Sequence, residues 1–114
     1  MTTHVIEVND ATFEAEVLRS PTPVLVDFGA RWCGPCKLLL PVLEGLATEQ
    51  SGQLKVVKVD IDDSPRVARR YAIRSAPTLM VFRGGERTAQ HVGVTNRTRL
   101  LALVAQGSPG AEAR

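Results

Sequence analysis

The two cysteines of the chain lie three positions apart, in Cys33-Gly34-Pro35-Cys36. They follow an apolar run and begin a segment whose apolar residues recur at helical spacing, which predicts that both lie in the first turn of a helix. Residues at this spacing share a helix face with Cα atoms about 5 Å apart, a distance that an unstrained disulfide allows. Gly34 permits close approach, and Pro35 suits a first helical turn. The pattern predicts a redox-active dithiol.

The two sulfurs are expected to have different roles. Cys33 would stand at the helix N-terminus, where free amides and the macrodipole favour a thiolate. Cys36 would lie a turn deeper, and we expect it to be the less solvated sulfur. Cys33 is therefore predicted to be the attacking nucleophile. Cys36 is predicted to be the resolving thiol, because its tether gives it a high effective molarity toward a mixed disulfide.

A zinc site and an inert packing pair are weaker interpretations of the two cysteines. A structural zinc site needs four ligands, and the chain offers no second cysteine pair and only the distant His4 and His91. A pair that serves only in packing would not need to stand at a helix start. Two cysteines concentrated there fit redox chemistry better than either alternative.

Asp27 is the second residue that suggests chemistry, because it interrupts the apolar run at 24–28. A buried carboxylate is costly unless it is paired, hydrogen-bonded or protonated. Asp27 is thus either a satisfied structural residue or a group that handles a proton. Lys58, on the following predicted strand, is a candidate charge neighbour, although an exposed strand lysine would give the same pattern.

The elements that would position these residues alternate along the chain. Strands are predicted at 5–8, 24–28, 54–59, 78–82 and 87–92, the last two joined by a turn at 84–85. Helices are predicted from the Asn9-Asp10 cap through Leu18, at 34–50 with a kink at Pro41, at 65–71, and from the Asn96 cap through Val104. This order predicts an α/β fold of three layers, with a mixed, mostly parallel sheet flanked by helices on both faces.

Composition limits the class of protein. The 114 residues are 44% hydrophobic and 23% charged, which fits one globular domain and excludes intrinsic disorder and collagen-like or coiled-coil chains. We expect the domain to span 1–106 and a small, polar tail to span 107–114. The chain contains no apolar run long enough to span a bilayer and no signal-peptide pattern at its start, so we expect no membrane association and a cytoplasmic protein.

The charge is unevenly distributed. Residues 1–63 carry 5 basic and 10 acidic residues, a sum of −5, whereas residues 64–114 carry 9 and 2, a sum of +7. The basic half is either a partner-facing patch or a solvated arginine-rich surface. No aromatic residues interleave with the arginines, so we predict no nucleic-acid partner.

A set of motifs across residues 5–105 resembles the thioredoxin family in order and spacing. The matching segments are Val26-Asp27-Phe28, Trp32-Cys33-Gly34-Pro35-Cys36-Lys37, Pro41, 58–62, 71–74, Ala76-Pro77-Thr78, Phe82, Gly84, Gly85 and Val92-Gly93. The resemblance implies the fold predicted above and a protein that reduces disulfides of protein substrates. It also implies a thioredoxin reductase partner, with NADPH and FAD entering only through that reductase and no cofactor bound to this chain. We expect the protein to act as a monomer.

The resemblance also implies roles for individual residues. Asp27 would lie beneath the dithiol as general acid/base toward Cys36, and the bond before Pro77 would be cis. The backbone of Ala76 would hydrogen-bond the substrate. The rim that receives extended polypeptide would be formed by Trp32, Gly34, Pro35, Ala76, Pro77, Val92 and Gly93.

The chain departs from the family pattern beside the dithiol. Gly29 stands where many members carry Trp, Ala76 replaces a bulky aliphatic residue, and Ser75 replaces the common Gly. We expect these changes to weaken substrate docking and to leave thiol reactivity nearly unchanged. Two further functions on the same fold stay open at this point, a disulfide oxidase or isomerase and a redox-independent binding or chaperone module.

Overall fold

The computed structural model describes residues 4–106, which form a five-stranded sheet. The strands are β1 (Val5–Val8), β2 (Val24–Gly29), β3 (Lys55–Asp60), β4 (Thr78–Arg83) and β5 (Glu86–Val92), in the spatial order β1-β3-β2-β4-β5. β1, β2 and β3 are parallel, whereas β4 is antiparallel to both of its neighbours. The mixed sheet is confirmed, and it includes an antiparallel β2/β4 pair in addition to the predicted hairpin. The predicted tail at 107–114 lies outside the described residues, so the domain boundary stays a prediction.

Three α-helices accompany the sheet: α1 (Gly34–Glu49), α2 (Pro65–Arg70) and α3 (Arg97–Ala105). The helix predicted after Asn9 is a π-helical segment, Glu14–Leu18, preceded by a turn in which Asn9 Oδ1 accepts the N–H groups of Ala11 and Thr12. Asn96 caps α3 by accepting the Arg99 N–H at 2.9 Å, as predicted. Pro41 lies inside α1, and the kink there stays a prediction.

The sheet separates two apolar clusters. The core beneath α1 and α3 includes Leu25, Leu39, Leu43, Val56 and Leu79. The opposite core contains the aromatic group Phe13, Phe28, Tyr71 and Phe82, whose neighbouring rings lie 5.3–6.5 Å apart. Burial on both faces explains why β2 is apolar at every position except Asp27 and Gly29. No helix between residues 4 and 106 is long and apolar enough to cross a membrane.

Strand direction brings distant segments to one end of the sheet. β2 ends there and leads through a short loop into α1. Because β4 runs the opposite way, it begins at that end, and β5 returns to it. The start of α1, the segment before β4 and the segment after β5 are therefore neighbours.

Candidate active site

The dithiol stands at the start of α1. Cys33 is the N-cap residue, with an extended backbone, and Cys36 lies in the first turn. The two sulfurs are bonded to each other, the Cα atoms are 5.3 Å apart, and the Cys36 N–H donates to Cys33 Sγ at 3.1 Å. The predicted spacing and helix-start placement are confirmed. The helix N-terminus and this N–H group both favour negative charge on Cys33 Sγ.

The predicted order of solvent exposure is wrong. Both cysteines are buried, but Cys33 is 3% exposed and Cys36 is 8% exposed. Gly29 supplies the physical reason, because it has no side chain to cover Cys36. A Cβ added at Gly29 would lie 3.3 Å from Cys36 Sγ and 3.9 Å from Asp27 Oδ1. The missing bulk at Gly29 therefore faces the resolving sulfur and the buried acid. The sequence pattern predicted that Gly29 would weaken substrate docking and leave thiol reactivity nearly unchanged. The position of Gly29 beside Cys36 Sγ indicates that it also affects the reactivity of that thiol.

Asp27 lies in β2 on the same side of the sheet as α1, and it is 2% exposed. Its Oδ1 atom is buried and has no hydrogen-bond partner among residues 4–106. Burial raises the pKa of Asp27 from 3.8 to about 7, and the positive charge of Lys58 opposes that rise. Asp27 can therefore bind and release a proton near neutral pH.

Lys58 is the direct register partner of Asp27 on the adjacent parallel strand β3. Its side chain is half-buried, so it is not the freely exposed strand lysine that was the alternative. The charge neighbour predicted for Asp27 is present.

A cleft of about 350 Å³ gives this region access to solvent. Its lining includes the buried acid Asp27, the resolving sulfur of Cys36 and Gly29. The other lining residues are Glu7, Ala30, Arg31, Lys37, Leu40, Lys58, Val59 and Asp60. The cleft reaches Cys36 from the side of Asp27. No local pattern indicates that Glu7 would line it, because its place depends on strand pairing.

The segment before β4 covers Cys33. The Ala76–Pro77 peptide bond is cis, as the resemblance implied, and the Ala76 carbonyl oxygen lies 3.5 Å from Cys33 Sγ. Gly93 adopts a φ of 102° that favours glycine, and its N–H donates to the Pro77 carbonyl at 2.8 Å. This hydrogen bond holds the end of β5 against the cis-proline segment.

The predicted rim residues lie around the dithiol with different exposures. Trp32 is 68% exposed and Val92 is 54% exposed, Gly34 and Pro35 are exposed, Ala76 and Gly93 are partly buried, and Pro77 is buried. The Trp32 indole Nε1 donates to Asp62 Oδ2 at 2.7 Å, which orients the ring. Asp62 was not among the predicted site residues, although it belongs to the family-like segment 58–62. No group of three or more metal-ligating side chains occurs in the part of the chain that the structure describes.

Comparison with known proteins agrees with this geometry. A thioredoxin family model matches residues 4–106. The chain is 54% identical over 93 residues to thioredoxin 1 of Synechococcus elongatus, covering 82% of this chain and 87% of that protein. It is 51% identical over 94 residues to thioredoxin 1 of Nostoc sp., covering 82% and 88%. It is also 51% identical over 96 residues to a bifunctional thioredoxin reductase/thioredoxin of Mycobacterium leprae, covering 84% of this chain and 21% of that protein.

The family match covers all of the described residues, 4–106. It agrees with the bonded cysteine pair at the start of α1 and with the adjacent cis-proline. The chain therefore belongs to the thioredoxin family of thiol-disulfide oxidoreductases.

Proposed function

We propose that Cys33 attacks disulfides of protein substrates and that Cys36 resolves the mixed disulfide. The observation that supports this assignment is the position of Cys33 as N-cap of α1, where its Sγ accepts the Cys36 N–H at 3.1 Å. After reduction, the same N–H group and the helix N-terminus favour a thiolate on Cys33. Cys36 lies inside the helix turn and lacks this position.

The reaction passes two electrons to the substrate. The Cys33 thiolate attacks one substrate sulfur, a mixed disulfide forms, and the other substrate sulfur leaves as a thiolate. Cys36 loses its proton and attacks Cys33 Sγ, the Cys33–Cys36 disulfide forms, and the first substrate sulfur leaves. Each departing thiolate takes up a proton according to its own pKa.

Asp27 is proposed as the general base that receives the Cys36 proton, through water in the cleft. Asp27 and Cys36 line the same cleft, and the pKa of Asp27 lies near 7. Lys58 is proposed to limit the rise in the pKa of Asp27 that burial causes, since its positive charge favours the ionised carboxylate that accepts the proton.

We propose that extended polypeptide binds on the surface beside Cys33. The exposed side chains of Trp32 and Val92 and the backbone of Ala76 suit an extended chain, which binds through main-chain hydrogen bonds and side-chain contacts. The residues assigned to this surface are Trp32, Gly34, Pro35, Ala76, Pro77, Val92 and Gly93. The carbonyl oxygen of Ala76, 3.5 Å from Cys33 Sγ, would place a bound strand beside the attacking sulfur.

A thioredoxin reductase is the proposed source of electrons, since one relative carries both names in a single chain. NADPH and FAD would act in that partner. We propose the cytoplasm as the compartment because a reducing environment keeps the dithiol in its active state. A monomer is proposed because both sulfurs, Asp27 and the cis-proline segment come from one chain.

Two single substitutions test the assignment of the sulfurs. Cys33→Ser is expected to abolish reduction of a protein disulfide. Cys36→Ser is expected to leave Cys33 able to attack, so that it accumulates as a mixed disulfide visible by intact mass. Accumulation through Cys36 in the Cys33→Ser protein, with none through Cys33, would reverse the two roles.

A further inference from the structure

Three charged side chains from neighbouring strands form a row across the sheet. Glu7 in β1 and Asp27 in β2 are both direct register partners of Lys58, which lies on β3 between them. Direct partners on adjacent strands project from the same face of the sheet. The residues two positions earlier in these strands belong to the core beneath α1, namely Val5, Leu25 and Val56. The row therefore lies on the α1 side of the sheet, where it lines the cleft.

Within this row, Lys58 is closer to Glu7 than to the buried acid. Lys58 Nζ lies 3.7 Å from Glu7 Oε1, and this is its one ion pair among residues 4–106. Lys58 interacts with Asp27 only through its charge, at longer range, and this interaction favours the ionised form of Asp27. One ammonium group is thus shared unequally between two carboxyl groups.

Of the remaining charged groups near Asp27, Arg31 and Asp60 are engaged with other residues, Cys36 is neutral when bonded, and Lys37 is an exposed cation that does not compete for Lys58. Besides Glu7 and Lys58, the titratable and charged residues of the cleft are Arg31, Cys36, Lys37 and Asp60. Arg31 pairs with Asp63 at 2.9 Å and lies 3.8 Å from Asp60. Asp60 also accepts two backbone N–H groups of its own turn. From β4, the residue beside Asp27 is the apolar Leu79. Glu7 is therefore the carboxylate that competes with Asp27 for Lys58.

We propose that Glu7 is a positioning residue for the resolving step, because it holds Lys58 toward the β1 edge and limits the positive charge that reaches Asp27. Asp27 then remains protonatable near neutral pH and is a stronger base toward Cys36. This inference rests on the general-base role proposed for Asp27. Glu7 itself touches neither sulfur, and it acts through Lys58.

Glu7→Gln tests the proposal by removing the charge while keeping the side-chain size. The variant is expected to lower the pKa of Asp27 by about 0.5, a modest change because the Glu7 side chain is 83% exposed and solvent screens its charge. The measurement is a carbon-13 NMR titration of the Asp27 carboxyl group in the oxidised protein, in which neither cysteine titrates. A shift below about 0.1 would overturn the proposal.

Glu86→Gln is the matched control. Glu86 is an exposed glutamate at the start of β5, the opposite edge strand of the sheet, and its substitution makes the same change in net charge. It is expected to leave the pKa of Asp27 unchanged within about 0.1, because its charge is screened over that distance. An equal shift in both variants would show a general effect of net charge and would overturn a specific role for Glu7.

Transmission through Lys58 is tested by a double-mutant cycle. In the Lys58→Met protein, adding Glu7→Gln is expected to move the pKa of Asp27 by less than about 0.2, since the group that carries the effect is absent. A shift as large as that measured with Lys58 present would mean that Glu7 acts directly, and the positioning role would be wrong.

Kinetics separate this inference from the role proposed for Asp27. The rate at which Cys36 resolves a preformed mixed disulfide is measured against pH in the wild-type and Glu7→Gln proteins. The lower inflection is expected to move by the same amount as the NMR titration. A titration that shifts while the rate profile stays in place would support the Glu7–Lys58 coupling and refute Asp27 as the base.

Discussion

At the scale of single residues, Asp27 is a carboxyl group that the fold holds away from water. Burial raises its pKa from 3.8 to about 7, so the folded state binds its proton more tightly than the unfolded state does. The stability that this proton confers is complete below about pH 4 and is lost as the pH rises toward 7. The active site therefore makes the protein less stable at neutral pH than its packing alone would allow.

Asp27→Asn is expected to stabilise the protein at about pH 8 by up to about 4 kcal/mol, and by almost nothing at about pH 4. It is also expected to slow the resolving step at neutral pH at least about tenfold, because the general base is lost. Urea unfolding at both pH values and stopped-flow resolution of a mixed disulfide provide the measurements. Asp63→Asn is the control, since this carboxylate is exposed and its substitution makes the same formal change in net charge. A gain independent of pH would contradict the role of the buried charge.

Gly29 exposes the resolving sulfur to the cleft. Gly29→Ala is expected to slow alkylation of Cys36 by a small neutral reagent about threefold or more, measured in the Cys33→Ser background. The reason is that the new Cβ would lie 3.3 Å from Cys36 Sγ, closer than an ordinary van der Waals contact. Alkylation of Cys33 in the Cys36→Ser background is expected to change by less than about twofold.

Gly45→Ala is the control for this experiment. Gly45 lies in α1, the helix that begins at the dithiol, but an added Cβ there meets nothing within 4 Å. It should leave Cys36 alkylation unchanged. If Gly29→Ala leaves Cys36 as reactive as before, the cleft is not the route by which the reagent reaches the sulfur.

At the scale of elements, the short helix α2 depends on a residue far away in sequence. Its N-cap residue, Ser64, makes no side-chain capping bond. Asp10 accepts the N–H groups of Arg66 at 3.1 Å and Val67 at 2.9 Å instead. The loop before the π-helical segment is thereby tied to the first turn of α2.

Asp10→Ala is expected to lower the free energy of unfolding by about 1–2 kcal/mol, because two helix N–H groups lose their acceptor and the helix start loses a negative charge. Asp10→Asn should retain most of this stability. Asp63→Ala removes an exposed carboxylate in an ion pair with Arg31 and should cost less than about 1 kcal/mol. Chemical denaturation of the three variants checks the order, and a loss in Asp63→Ala equal to that in Asp10→Ala would refute the capping role.

Much of this architecture was predictable because local patterns determined it. The apolar run around Asp27, the helix-start cysteines and the Gly84-Gly85 turn each identify an element from adjacent residues alone. Asp10 was less predictable, since it was expected to cap the nearest helix and its partners lie 56 and 57 positions later. The exposure of Cys36 was mispredicted for a related reason. It depends on Gly29 at the end of β2, which has no side chain to cover the Cys36 sulfur.

At the scale of the whole molecule, the arginines of α2 contribute to the excess of positive charge in residues 64–114. Arg66, Arg69 and Arg70 are exposed and make no ion pair between residues 4 and 106, although Arg70 lies over the Tyr71 ring. The exposure of these three arginines and their lack of ion pairs in the described residues support the interpretation of a solvated surface. Their combined field can still act on a charged substrate at a distance.

Replacing these three arginines with glutamine changes the formal net charge from +2 to −1. At low ionic strength, kcat/KM for an acidic disulfide peptide is expected to fall about two- to fivefold and to recover near about 0.3 M salt, as screening removes the field. An uncharged peptide should react equally well with both proteins. A loss that persists at high salt would indicate direct contacts between these arginines and the substrate.

The reversal of β4 also sets the order in which the site is completed during synthesis. The attacking sulfur is followed 43 residues later by the backbone carbonyl that lies beside it, and the segment after β5 comes later still. A nascent chain that has passed β3 thus carries both sulfurs and the buried acid, but none of the cis-proline segment that covers Cys33. Until β4 pairs with β2, the newly made cysteines lack the Ala76–Pro77 segment, which both covers Cys33 and belongs to the proposed polypeptide-binding surface. Labelling of Cys33 in ribosome-bound chains by an extended disulfide peptide should be slow before residue 77 emerges and faster once β5 has folded, because only then is the polypeptide-binding segment in place beside the sulfur. Equal labelling at all lengths would refute this order.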